Sequence, residues 1–251
     1  MKKLIYYTAS LLVVAISACN KVDNYPAPSS TLTGSTLDET TGKTVQTEIG
    51  GRGTRVKLLE TSYSANPVPL YLESKQDGTF SNTKVFAATY KVSVEGAFVP
   101  VVLTSSTGAV TSDKSQTIVL KDAANVEFKV QPFLRIDWVG KPVVNADKSV
   151  SVQVQISRGT TNADYQQAIS NINLYVSNTA INCADNNYDS RYSNLTAVSQ
   201  AKSDSVINLH QTITLTTKGG ALPAQNVYFR VGAKINAGLG YYNYTTTATL
   251  N

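Results

Sequence analysis

Two cysteines, Cys19 and Cys183, and one histidine, His210, are the side chains of this chain best suited to covalent chemistry. A catalytic thiol needs a base to generate its thiolate. The single imidazole lies in an alternating polar and apolar stretch, as a strand residue would, with no nucleophile motif beside it. Cys183 therefore reads as a small half-buried residue, and no Ser–His–Asp trio can be assembled from neighbouring positions. The acidic residues fall in turns and on outward strand faces rather than as pairs in apolar settings, so catalysis is not expected. Asp185-Asn186-Asn187-Tyr188-Asp189 offers oxygens at alternate positions, as a calcium loop would. Ser190 and Thr196 stand where an EF-hand loop needs Gly and Glu, so the segment reads as a solvated Asx-rich turn and no metal is expected.

Aromatic residues offer a different chemistry. The apolar C–H face of a sugar lies against a Tyr or Trp ring while nearby Asn, Asp, Gln and Arg bond its hydroxyls, provided the ring is exposed. Tyr188 and Tyr192 flank Asp189, Ser190 and Arg191 in a polar loop, and Tyr241 opens the last strand with Asn243 on its face. These three tyrosines are the glycan-binding candidates; the alternative is that each covers a strand end. Trp138 alternates with Leu134 and Ile136 and reads as core, and Tyr90 and Phe128 are likewise inward.

Cys19 belongs to another pattern. Met1-Lys2-Lys3 is positively charged, Leu4 to Ile16 is a short apolar run, and the run ends in Ile16-Ser17-Ala18-Cys19. The run is too short to span a bilayer core of about 30 Å as a stable helix and reads as a targeting signal. Aliphatic, small, small, Cys resembles the lipobox of bacterial lipoprotein signal peptides. That resemblance implies a signal peptide over residues 1–18, cleavage before Cys19, and diacylglycerol with palmitate-type acyl chains on Cys19 as the only non-protein group. An ordinary secretory leader with a coincidental Cys is the alternative. Each buried CH2 contributes about 0.8 kcal/mol, so several acyl chains anchor permanently. Cys183 would then be alone, and no disulfide could form within the chain. Residues 19–30, with Pro26 and Pro28 among polar neighbours, form a tether.

The elements that would position these residues are strands. Hydrophobic residues make up 42% and charged ones only 16%, with Thr, Ser, Asn and Val abundant, a mixture suited to half-buried pleated surfaces. Formal net charge is +5, or +3 once Lys2 and Lys3 are removed, and no run of basic residues points to nucleic acid. Alternation recurs at Arg55–Glu60, Thr89–Glu95 and Asn125–Val130, separated by Thr41-Gly42-Lys43, Asp77-Gly78 and Thr107-Gly108. Gln131-Pro132 breaks that series. A second follows through Leu134–Trp138, Val150–Ile156, Ile172–Val176, Ile213–Leu215 and Val227–Ile235. Short strands at this spacing predict an all-β chain of two consecutive antiparallel Ig-like sandwiches, residues 31–131 and 132–251. One helical turn is expected between Asn162 and Ile169, and none elsewhere.

Gly34-x3-Asp38-x2-Thr41-Gly42-Lys43, Asp77-Gly78-Thr79-Phe80 and Phe86-Ala87-Ala88-Thr89-Tyr90-Lys91-Val92 resemble the carboxypeptidase-regulatory-like, transthyretin-like sandwich, although Ala88 replaces that family's usual Gly. Phe229 to Thr245 resembles the closing hairpin of fibronectin type III-like sandwiches. Asp23–Pro28, Thr54–Glu60, Asp77–Phe86 and Pro132–Ile136 together resemble a family of two-domain Bacteroidetes-type lipoproteins found beside starch-utilisation-system-like transporters. The resemblance implies an outer-membrane lipoprotein at the cell surface or periplasmic face. Its role would be a non-catalytic accessory that binds a polysaccharide or oligosaccharide near an outer-membrane transporter complex. A structural or assembly module that binds a protein partner is the alternative.

Overall fold

A computed structural model of the protein describes residues 26–63, 65–208 and 210–250. The expected signal peptide, Cys19 and most of the expected tether lie outside the described residues.

The amino-terminal half carries β1 (Ser30–Asp38), β2 (Arg55–Glu60), β3 (Leu70–Glu73), β4 (Thr79–Val85) and β5 (Ala88–Glu95). It continues with β6 (Val102–Thr104), β7 (Val110–Asp113), β8 (Gln116–Leu120) and β9 (Ala123–Val130). One sheet runs β4-β1-β9, a second β3-β2-β5-β8, and β6 and β7 form a hairpin. All these ladders are antiparallel except β1 with β9, which pair in parallel from Thr31↔Ala123 to Asp38↔Val130. The period-two pattern explains the packing. Val56, Leu58, Tyr90, Val92 and Val94 point inward from one sheet and meet Leu32, Phe80, Val126, Phe128 and Val130 from the other. Full burial of each such side chain contributes about 1.5–3 kcal/mol. Gly34 is required in β1, because a Cβ there would sit 2.0 Å from the Val126 carbonyl oxygen and 2.4 Å from the Phe80 ring.

The carboxy-terminal half carries β10 (Leu134–Trp138), β11 (Val143–Val144), β12 (Val150–Arg158), β13 (Ile169–Ser177) and β14 (Asn194–Ala197). After helix α1 (Gln200–Asn208) come β15 (Ile213–Thr216), β16 (Tyr228–Ile235), β17 (Asn243–Tyr244) and β18 (Ala248–Thr249). β10 and β11 share one side of β12 and β15 takes the other. The facing sheet runs β14-β13-β16, with β17 and β18 both on the free side of β16. Val150, Val152, Val154 and Ile156 pack against Ile172, Leu174, Phe229, Val231 and Ala233. The chain is thus all-β, two sandwiches in series, with short helical pieces.

Two expectations need correction. The 3-10 turn falls at Ala163–Tyr165, within the predicted stretch, but α1 was not expected. Among its described side chains only Val206 and Ile207 lie in the core, too few apolar positions to show helical period, while Ser203 Oγ accepts the Ile169 N–H at 2.7 Å. His210 is not in a strand; it sits exposed in a turn with φ of 48° before β15 begins.

Candidate functional site

Strands β13 and β16 lie at the centre of their sheet, and their second face is covered as well. Outward-facing Asn173, Tyr175, Arg230 and Gly232 would meet water in an isolated sandwich, yet Tyr175 and Arg230 are fully buried. The cover is the 178–190 loop and the amino-terminal domain. Arg230 Nη1 donates to the carbonyls of Thr47 at 2.9 Å and Cys183 at 3.2 Å, its Nε donates to Thr245 O at 2.9 Å, and Nη2 reaches Gln76 O at 3.5 Å. Its guanidinium lies 4.5 Å from the centroid of Tyr244, whose hydroxyl donates to Glu48 Oε2 at 2.8 Å. Burial lowers the Arg230 guanidinium to about 10, so it remains charged at neutral pH. Burial also raises the Glu48 carboxyl, against the opposing effect of the Tyr244 hydroxyl. Gln76 completes the joint: its Nε2 donates to Ala180 O and Thr247 Oγ1, and its Oε1 accepts the Cys183 N–H.

A second joint is ionic. Arg135 on β10 grips Asp38 at the end of β1 with two bonds, 2.5 and 2.9 Å, and also donates to the carbonyls of Arg158 and Gly159. Burial alone would raise the Asp38 carboxyl, but Arg135 and the Thr40 N–H outweigh it and hold it below the usual carboxylate range.

Two grooves flank this junction. The larger, about 500 Å³, lies between the 38–46 segment and the β10–β17 edge. Trp138 ends β10 here, half-buried, with its indole N–H donated to Thr246 O at 3.0 Å. Lys43, Gln46, Asp137 and Thr44 line the same space. The second groove, about 430 Å³ and more apolar, is lined by Tyr241, Leu239, Lys57, Leu59 and Phe98.

The sequence candidates are dispersed. Tyr188 packs on Tyr175 at 5.5 Å between ring centroids, within the small cluster under the 178–190 loop. Tyr192 packs on the carboxy-terminal core with Arg191 over its ring at 5.2 Å, and Tyr241 borders the second groove. Among the described residues no ring contact joins any two of the three. Trp138, read from sequence as core, packs on the core by one part and lines the larger groove by another. The parity of β10 gives its inward direction; that a groove lies at its end has no local signal beyond the break at Gly140-Lys141-Pro142.

The remaining chemical residues are engaged by the protein itself. Asp185 accepts the Tyr175 hydroxyl at 2.8 Å and pairs with Arg52 at 3.4 Å, Asn186 donates to Ile49 O, and Asp189 pairs with Arg191 at 2.6 Å. Among the described residues no group of His, Cys, Asp and Glu is arranged to hold a metal ion. Cys183 is fully buried rather than half-buried, and burial raises its thiol to about 12.

Solved structures resemble this arrangement over nearly its full length. A DUF3823 family protein from Bacteroides uniformis is 28% identical with a TM-score of 0.80, over 89% of this chain and 99% of that one. One from Parabacteroides merdae is 21% identical with a TM-score of 0.65, over 90% and 100%. Another Bacteroides uniformis protein, described as "a putative carbohydrate binding protein", is 22% identical with a TM-score of 0.63, over 89% and 99%. No curated protein matches the chain. Residues 30–131 match the N-terminal domain described as "Protein of unknown function (DUF3823)", and residues 140–249 match the domain DUF3823_C. Both halves carrying the paired domains of one family, this chain belongs to the two-domain DUF3823 family.

Proposed function

We propose that the protein is a non-catalytic, glycan-binding accessory of a polysaccharide-uptake system, held at the outer membrane by acyl chains on Cys19. The observation that carries this reading is that Trp138 and Tyr241, each half-buried, line grooves at the junction of two firmly docked sandwiches. A fixed ring beside polar groups is the arrangement that recognises a sugar face and its hydroxyls. The relative described as a putative carbohydrate binding protein shares the two-domain fold and lends the same reading support. The non-catalytic part draws on the engagement of Asp38, Asp113, Asp189 and Glu95 by Arg135, Lys91, Arg191 and Arg55. Anchoring raises local concentration, so weak sugar contacts become useful beside a transporter.

The second reading, a rigid spacer that binds a protein partner, draws on the joint around Arg230. Affinity gels carrying a panel of polysaccharides separate the two. The glycan reading expects the full chain to be retained on at least one gel, and no retention on any would leave the spacer. Anchoring is checked separately by labelling with radioactive palmitate. Label on the wild type and none on Cys19→Ser is expected; an unlabelled wild type would overturn the anchor.

A further inference from the structure

We infer that the groove between the 38–46 segment and the β10–β17 edge is the glycan site, shared by both domains, with Trp138 as its stacking platform and a neutral oligosaccharide as its ligand. The inference rests on the glycan-binding reading above and says where and what the protein would bind.

Three observations converge on this groove. Its volume, about 500 Å³, falls within the range of about 300–1,000 Å³ typical of ligand sites. The Trp138 ring is already oriented: its N–H is spent on Thr246 O and part of it rests on the core, so little side-chain freedom is lost when a ligand arrives. The polar lining is of two kinds. Asp38 and Arg135 neutralise one another and carry carbonyl and N–H partners besides, so they form structure. Lys43 and Asp137 carry no side-chain hydrogen bond or ion pair among the described residues, and both are exposed. Together with the Gln46 amide, whose Nε2 gives one hydrogen to Thr44 Oγ1 at 3.2 Å and keeps a second N–H and its carbonyl oxygen, they offer donors and acceptors to hydroxyl groups.

The charge balance selects the ligand class. Lys43 and Asp137 are one cation and one anion, the latter also felt by Arg135, and with the Asp38–Arg135 pair the charges of the groove cancel. A sulfate or uronate would gain one attraction at Lys43 and meet Asp137 in the same space. A neutral sugar bonds to both without that conflict. The tyrosines lack such a setting: Tyr188 is packed on Tyr175, and Tyr192 lies under Arg191.

The wall contributed by the 38–46 segment belongs to one domain and Trp138 to the other. Binding therefore depends on their docking, and disturbing the Asp38–Arg135 pair weakens the site without touching the ring.

The test uses the full chain on gels of starch, xylan, mannan, alginate and chondroitin sulfate, with far-UV circular dichroism to verify folding of each variant. Retention on at least one of the three neutral gels, persisting in about 0.5 M NaCl, is expected. Trp138→Ala should weaken it at least about tenfold, whereas the combined Tyr188→Ala and Tyr192→Ala variant should stay within about twofold. Because Trp138 is the only Trp, oligosaccharides from the retaining polymer should shift or quench its fluorescence, a readout that needs no variant. Unchanged binding by Trp138→Ala, loss in the tyrosine variant, no fluorescence response, or retention confined to the two anionic gels would each overturn the site while the broader reading survives. Failure of the wild type on every gel would remove that reading and the site with it.

Discussion

Tyr244 and Glu48, 196 positions apart, meet in a 2.8 Å hydrogen bond, and the Tyr244 ring carries the buried guanidinium of Arg230 on its face. This one tyrosine therefore ties the outer face of the β13–β16 sheet to the loop that follows β1. The bond belongs to neither core; it exists only while the domains are docked. The joint therefore draws on both domains, and the two grooves lie beside it.

Replacing Arg230 should reveal how much of the fold depends on that joint. Arg230→Met removes the donor to the carbonyls of Thr245, Thr47, Cys183 and Gln76 and leaves those oxygens buried. The expected loss is about 3–5 kcal/mol in urea unfolding. Calorimetry should resolve two transitions where the wild type gives one. Arg230→Lys should recover little, since an ammonium cannot span the same set of carbonyls. A wild-type midpoint in both variants would mean that the carbonyls find other partners.

The Asp38–Arg135 pair sets an acid limit. The folded carboxyl titrates below its unfolded value of 3.8, so the native state binds protons less readily than the unfolded chain. Its stabilisation is complete above that value and is lost as pH falls through it towards the folded pKa. Asp38→Asn should cost about 1.5–3 kcal/mol at pH 7 and flatten the stability profile below about pH 4. Urea midpoints taken from pH 7 to pH 3 check both parts, and parallel profiles for variant and wild type would count against the pair.

The strands were readable because alternation reports one fact, which face of a strand is dry. Tyr90, Val92 and Val94 in β5, or Val152, Val154 and Ile156 in β12, follow it without exception. Arg230 shows where the rule stops. Between Phe229 and Val231 it occupies an outward position, where a charged residue ordinarily meets solvent, but the outward face is covered by another domain. Nothing local encodes contact with Thr47 and Gln76. Trp138 is the converse case: its parity is inward, yet it stands at a strand end that borders the larger groove. Helix α1 was invisible because two adjacent core residues, Val206 and Ile207, make no period.

Cys183 should be silent to reagents in the folded protein. Its thiol points at the carbonyls of Tyr175 and Tyr228, it is fully buried, and burial raises it to about 12. In a Cys19→Ser chain, a disulfide reagent at about pH 8 should find no thiol until denaturant is added, and then one per molecule. Rapid labelling of the native chain would show that the 178–190 loop opens readily.

Gly232 offers the sharpest test of packing beneath the joint. It faces the Tyr175 and Tyr244 rings, and a Cβ would lie 2.8 Å from each. Neither ring has room to retreat, since Tyr175 also packs on Tyr242 and Tyr188 while Tyr244 holds Glu48 and Arg230. Gly232→Ala should therefore cost about 1–3 kcal/mol of stability, and the displaced Tyr244 should lower the calorimetric transition of the docked pair in the same direction as Arg230→Met. Gly51→Ala, where nothing lies within 4 Å, serves as the matched control and should shift the urea midpoint little. Equal midpoints for the two alanine variants would mean that the tyrosine cluster yields, and with it the claim that the domains are locked through Tyr244.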